Sequence, residues 1–176
     1  MDEPKQEMFV EGLPVPHRLV TLINRGLWPK TEKEALRQNI RSFVPKERIQ
    51  LFAPEEDRIF LVWPPFRTVS KIRSNAERRG GGEEKFWSSS AAPEGLSPAL
   101  SVFIGDFGLG SDSPILLDYR EDRFNPTVIR LQWRKGLDLP NIWVRCADSF
   151  DEFADMLGLG AAPTSPQKPL NARDVP

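Results

Sequence analysis

The chain has 176 residues, of which 39% are hydrophobic and 28% charged, and a formal net charge of −1; this is the composition of one folded domain with a sizeable core. That balance gives no global attraction to nucleic acid or to a membrane surface, and one cysteine excludes an internal disulfide or a thiolate zinc cluster within the chain. No run approaches the ~20 apolar residues of a membrane span, and the first residues lack the basic and apolar regions of a signal peptide, so a cytoplasmic location is expected.

In chain order, Met1 to Gly12 is polar and acidic and is expected to be disordered. After Pro16, the apolar positions Leu19, Val20, Leu22 and Ile23 fall on one face of a short helix, with Gly26 as its stop and Leu27 and Trp28 covering its end. Thr31-Glu-Lys-Glu34 is a capping box and predicts a second helix to about Asn39 or Ile40. Pro45 opens a helical turn whose apolar contacts are Ile49, Leu51 and Phe52. Ile59 to Trp63 is a strand stopped by Pro64-Pro65. Thr68 caps a helix with the face Val69, Ile72 and Ala76. Seventeen prolines in all predict a loop-rich chain. The charged, glycine-broken stretch at about 78–85 is expected to be a mobile insertion within the domain, and Ser97-Pro98 marks a further helical start.

The stretch from Phe103 to Tyr119 combines three glycines and three aspartates with an apolar strand. Gly105, Gly108 and Gly110 allow positive φ, and Asp106 and Asp112 can accept backbone amides, so the segment is expected to be a well-formed loop that delivers the chain into a sheet at Ile115. Beyond it the alternation of Ile115, Leu117 and Tyr119, of Ile129, Leu131 and Trp133, and of Ile142, Val144 and Cys146 predicts an antiparallel meander with those residues on one apolar face. Asp118, Arg120, Arg130, Gln132, Trp143 and Arg145 would occupy a charged opposite face. Ser149-Phe-Asp-Glu152 is a second capping box, and Phe150, Phe153, Met156 and Leu157 can pack the helix it opens on the sheet before Gly158 ends it. Gly160 to Pro176 has four prolines and no apolar period and is expected to be a disordered tail. The fold class is therefore α+β: an antiparallel sheet, a meander in its C-terminal half, with helices packed mainly on one face, in a single domain spanning 13–159.

Four segments in register resemble the SUKH superfamily, the Smi/Knr-type domains: Ile104-Gly-Asp-Phe-Gly-Leu-Gly-Ser-Asp-Ser-Pro-Ile115, Val128-Ile-Arg-Leu-Gln-Trp133, Ile142-Trp-Val-Arg145, and Asp148-Ser-Phe-Asp-Glu-Phe153 with its Leu157-Gly-Leu159 ending. The resemblance covers roughly Leu100 to Leu159 and is weaker over Pro14 to Thr68. It implies an α+β domain without enzymatic activity, of a group that in bacteria consists mostly of immunity proteins neutralising toxins and in fungi of scaffolds in cell-wall signalling.

Residues suited to reaction chemistry are sparse. His17 is the only histidine and stands at a helix start, and Cys146 falls on an apolar strand face with no histidine nearby, so neither reads as a general base or a nucleophile. Asp106, Asp112, Asp118 and Asp122 could serve a small metal-dependent hydrolase, but they do not follow calcium-loop spacing, and the glycines lack the lysine and the serine or threonine of a phosphate loop. Charge is unevenly spread: five acids stand against one base from Gly105 to Asp122, and seven bases against three acids from Arg58 to Lys85. An acidic patch would steer a basic protein partner, such as a toxin domain. The expected function is thus a protein-binding module of the immunity-protein kind, with a scaffold of the same fold and a hydrolase as the alternatives. Its expected contact residues are Glu121, Asp122, Trp143 and Arg145, with no cofactor, metal, membrane or nucleic acid involved.

Overall fold

The computed structural model describes residues 7–80, 85–87, 91, 95–108, 113–134 and 141–160. Gly110, Asp112, most of the glycine-broken stretch after Gly80 and the tail beyond Gly160 lie outside the described residues.

Local signals set the helix boundaries. Helix α1 (His17–Asn24) ends where Gly26 takes φ +71°, so that the Gly26 amide reaches the Ile23 carbonyl (3.1 Å) and the Leu27 amide the Leu22 carbonyl (2.9 Å). Helix α2 (Glu32–Leu36) starts with the Thr31 hydroxyl accepting the Glu34 amide, and a single 3-10 turn carries it to Asn39. Helix α3 (Lys46–Ile49) follows Pro45. Helix α4 (Val69–Arg79) is capped by Thr68, as expected. Helix α5 (Phe150–Met156) is capped by Ser149 and closed by Gly158 through the same two-bond motif as α1.

Two short strands come first, β1 (Phe9–Val10) and β2 (Leu13–Pro14), joined across Glu11 and Gly12, which both have positive φ (50° and 84°). This corrects the expectation of disorder through Gly12: Val10 and Leu13 are buried and tie the hairpin to the core. The main sheet is antiparallel throughout. Its order is β3 (Ile59–Leu61), β5 (Ser101–Phe107), β6 (Ser113–Asp118), β7 (Thr127–Gln132) and β8 (Ile142–Ala147), with β4 (Arg67–Thr68) also paired to β5.

Strand β5 is the main departure from the sequence reading. The segment taken as a loop from Ile104 onward runs as a central strand as far as Phe107. Gly105 is extended there and makes no turn; a β-carbon at that position would lie 3.0 Å from the Phe60 carbonyl oxygen of β3. Glycine is needed for the close approach of two backbones. A bulge between Phe103 and Gly105 shifts the pairing with β6 and keeps both Ile104 and Ile115 in the core. Gly108, with φ +73°, is the first residue that turns the chain.

Both faces of the sheet are apolar. On one, Val102, Ile104, Phe107, Ile115, Leu117 and Val128 meet α1, α3 and α5 in the larger core. Phe52 packs against Phe107 and Phe153, and Trp28 stands edge-on to Phe150. On the other, Phe103, Leu116, Ile129, Leu131 and Trp143 meet Val69 and Ile72 of α4 together with Trp87. The expected single apolar face is therefore corrected. In the register Leu116 faces Ile129 and Leu117 faces Val128, so Ile129 and Leu131 point away from Leu117. Arg130, expected on the charged face, is instead buried on the larger core side, bonded to Glu55 (2.7 Å) and lying 5.7 Å from the Phe107 ring centre. Trp133, one residue past β7, is 48% exposed and outside the core. Leu51, expected as an apolar contact, is also exposed.

Candidate functional site

The loop joining β6 to β7 is a short polar segment whose backbone is held at several points. The Asp122 carboxylate accepts the amides of Phe124 (2.7 Å) and Asn125 (3.1 Å), closing a tight turn. The Arg123 guanidinium donates to the Gly12 carbonyl (2.8 Å), fastening the loop to the β1–β2 turn. Arg120 forks onto both oxygens of the buried Asp118 (2.6–3.0 Å) at the loop's start. Within this frame Phe124 projects to solvent, 80% exposed. A large aromatic fixed outward in this way gains nothing for folding and costs little entropy to immobilise on contact.

Beside the loop lies Arg145 of β8. It donates to Glu121 (2.5 Å) and to Asp148 (3.2 Å), a three-residue charged group at the sheet edge. Hydrogen bonding to Asp148, and then the charge of Glu121, hold the guanidinium above its ordinary range. With Asp122, Asp151 and Glu152 also exposed, this end of the sheet presents more acids than bases. Exposed pairs of this kind contribute at most about 1 kcal/mol to folding, which leaves their charges available to a partner.

Of the expected contact residues, the structure brings Glu121, Asp122 and Arg145 to this one end. Asp122 holds the turn as well as facing solvent, through the Phe124 and Asn125 amides. Trp143 shares a sheet face with Arg145 but is half-buried against the α4 side, so it is not an exposed anchor; its indole N–H is buried with no hydrogen-bond partner among the described residues. Phe124 was missed. Its one signal in the sequence is a single aromatic in the otherwise polar run from Arg120 to Thr127.

The loop-structuring residues divide. Asp106 accepts the Ser113 amide (3.0 Å), whereas Gly105 belongs to a strand. Of the aspartates considered for metal chemistry, the three among the described residues are each engaged separately: Asp118 by Arg120, Asp122 by its own loop, and Asp106 by Ser113. Among the described residues no group of three or more His, Cys, Asp or Glu could hold a metal ion. Cys146 is largely enclosed, and burial pushes its thiol up to about 12, the nearby Arg130 charge opposing the shift only in part. His17 is an exposed helix-start residue.

No family model, curated protein or solved structure matches the chain. No helix among the described residues is long and apolar enough to cross a membrane.

Proposed function

We propose that this chain is a non-enzymatic protein-binding module that engages its partner through the β6–β7 end of the sheet, in the manner of an immunity protein occluding a toxin. The observation that carries the reading is Phe124, fixed outward by the Asp122 turn and the Arg123 bond to Gly12. Around it, Glu121, Asp122 and Asp148 supply negative charge for a basic partner surface, which accelerates encounter and sets orientation. The aromatic supplies the desolvated anchor that such interfaces concentrate their energy in. The SUKH resemblance of the strands that flank the loop points the same way. A scaffold role would use the same surface, and the identity of the partner separates the two.

The test is parallel affinity capture with the unaltered chain and with Phe124→Asp, followed by titration of the purified captured protein. Phe124→Asp is expected to weaken binding by about thirtyfold or more, the loss of one anchor of ~2 kcal/mol. Glu121→Lys is expected to slow association and flatten its dependence on salt. Equal affinity for the unaltered chain and both variants would remove this surface from the function.

A further inference from the structure

A second surface lies at the other edge of the sheet, where the 3-10 turn after α2 and the segment leading to α3 pass over β3. Two adjoining grooves open here, one of about 640 Å³ and one of about 370 Å³, and both are lined by Ile40, Ser42 and Phe43. Ile40 is 93% exposed, and Leu36, one turn before it, is 51% exposed. The segment is anchored from beneath: Gln38 is buried, and its side-chain amide pairs with both backbone groups of Leu61. Residues 36–43 therefore hold two apolar side chains in water on a backbone that is fixed in place.

The rim is basic. Arg37 and Arg41 line the larger groove and Lys46 and Arg58 the smaller. All four are exposed, and none makes an ion pair among the described residues. The acids nearby are Glu34 and Asp57, and Glu34 already accepts the Lys30 amide (2.7 Å). Four unpaired cations around an apolar floor repel one another, and an anionic ligand with an apolar side chain relieves both the repulsion and the exposure.

We infer that this double groove docks an acidic peptide segment of another protein, one that carries aspartate or glutamate on either side of a bulky apolar residue. The apolar residue would sit against Ile40 and Phe43, and the flanking carboxylates would meet Arg37 and Arg41 on one side and Lys46 and Arg58 on the other. Guanidinium groups suit this role because they bind carboxylates through two parallel hydrogen bonds. The surface is distinct from the Phe124 end and the inference does not rest on the function proposed there.

The probe is a random peptide library displayed on phage and panned on the full chain, with enriched peptides resynthesised and measured by fluorescence polarisation. Acidic peptides with an apolar centre are expected to be enriched. Their affinity should fall about tenfold or more in Ile40→Asp and in Arg37→Glu/Arg41→Glu, fall with added salt, and stay within about twofold in Phe124→Asp. Ile40, Arg37 and Arg41 lie outside the core, and unchanged melting curves for these variants are part of the expected result. Basic or uncharged consensus peptides would overturn the inference, as would acidic peptides indifferent to the groove variants. Competition by inorganic phosphate as strong as that of the peptide would reduce the site to an anion site and overturn it as well. A concentration-dependent dimer abolished by Ile40→Asp would show that a second copy is the occupant, and the inference would fail.

Discussion

Gln38 joins the groove to the sheet, and Gln38→Leu is the sharpest test of how the fold is held at that edge. Strand β3 ends the sheet, and the Leu61 amide and carbonyl face away from β5. The Gln38 side chain closes that edge as a further strand would: its Nε2 donates to the Leu61 carbonyl (2.9 Å), and its Oε1 accepts the Leu61 amide (2.9 Å). Leu61 is fully buried and Gln38 is 4% exposed, so water does not replace these bonds. Leucine has a similar volume and leaves two backbone groups unpaired at ~1–3 kcal/mol each. Removing the buried amide itself offsets part of this, so a net loss of about 2–4 kcal/mol is expected. At this chain length each kcal/mol shifts the melting temperature by ~2–4 °C, which gives a drop of about 5–15 °C. The assay is denaturant unfolding with amide exchange read at Leu61, whose protection should fall further than the global loss. Gln38→Glu is a graded control. The introduced carboxylate still accepts the Leu61 amide but has no proton for the carbonyl. Burial would raise its folded-state pKa above the unfolded value, so the deficit should shrink as pH falls and that carboxyl takes up a proton. A Gln38→Leu protein within about 0.5 kcal/mol of the unaltered chain would refute the reasoning.

The remaining predictions probe the core and its ionisable groups. Phe153→Ala should cost ~3–5 kcal/mol, because the ring is fully buried between Phe52 and Phe150, whereas Trp133→Ala should stay within about 1 kcal/mol in the same unfolding assay. The Cys146 thiol, pushed up to about 12 by burial, should resist a disulfide exchange reagent at neutral pH and react only in denaturant; rapid labelling of the folded chain would contradict its placement. Tyr119, the only tyrosine, donates to the Pro14 carbonyl (2.8 Å), and burial raises its pKa well above the ordinary 10.0. A raised folded-state pKa means that this stability is complete below about 10 and is lost as pH climbs towards the folded value. Tyrosinate absorbance should therefore appear together with unfolding in an alkaline titration; a titration at the ordinary pH in the folded chain would place the ring in water.

What the sequence determined by itself is what depends on a few neighbouring residues. Thr31, Thr68 and Ser149 each satisfy an amide three residues on, and Gly26 and Gly158 each allow the positive φ that ends a helix; a helix end is settled by the groups within one turn of it. Strands β6, β7 and β8 were legible for a similar reason, since β-branched and aromatic residues bounded by turn residues mark extended chain wherever they fall. The choice of face was not legible. Ile115-Leu-Leu and Val128-Ile-Arg-Leu have apolar residues at both parities, so a period of two assigns no side to the core, and only α4 covering the second face made Ile129 and Leu131 buried on the side opposite Leu117. The bulges in β5 and between Val128 and Ile129 shift the alternation again. Tertiary structure also decided Gly105, which is glycine because Phe60 lies across from it; Gln38, whose partner is 23 residues away; and the fate of two tryptophans, Trp143 drawn against α4 and Trp133 left outside. At the candidate site, the charges of Glu121 and Arg145 were visible in the sequence, but their meeting across 24 residues was not. Nor was the outward setting of Phe124, because a residue's exposure depends on what the rest of the chain leaves uncovered.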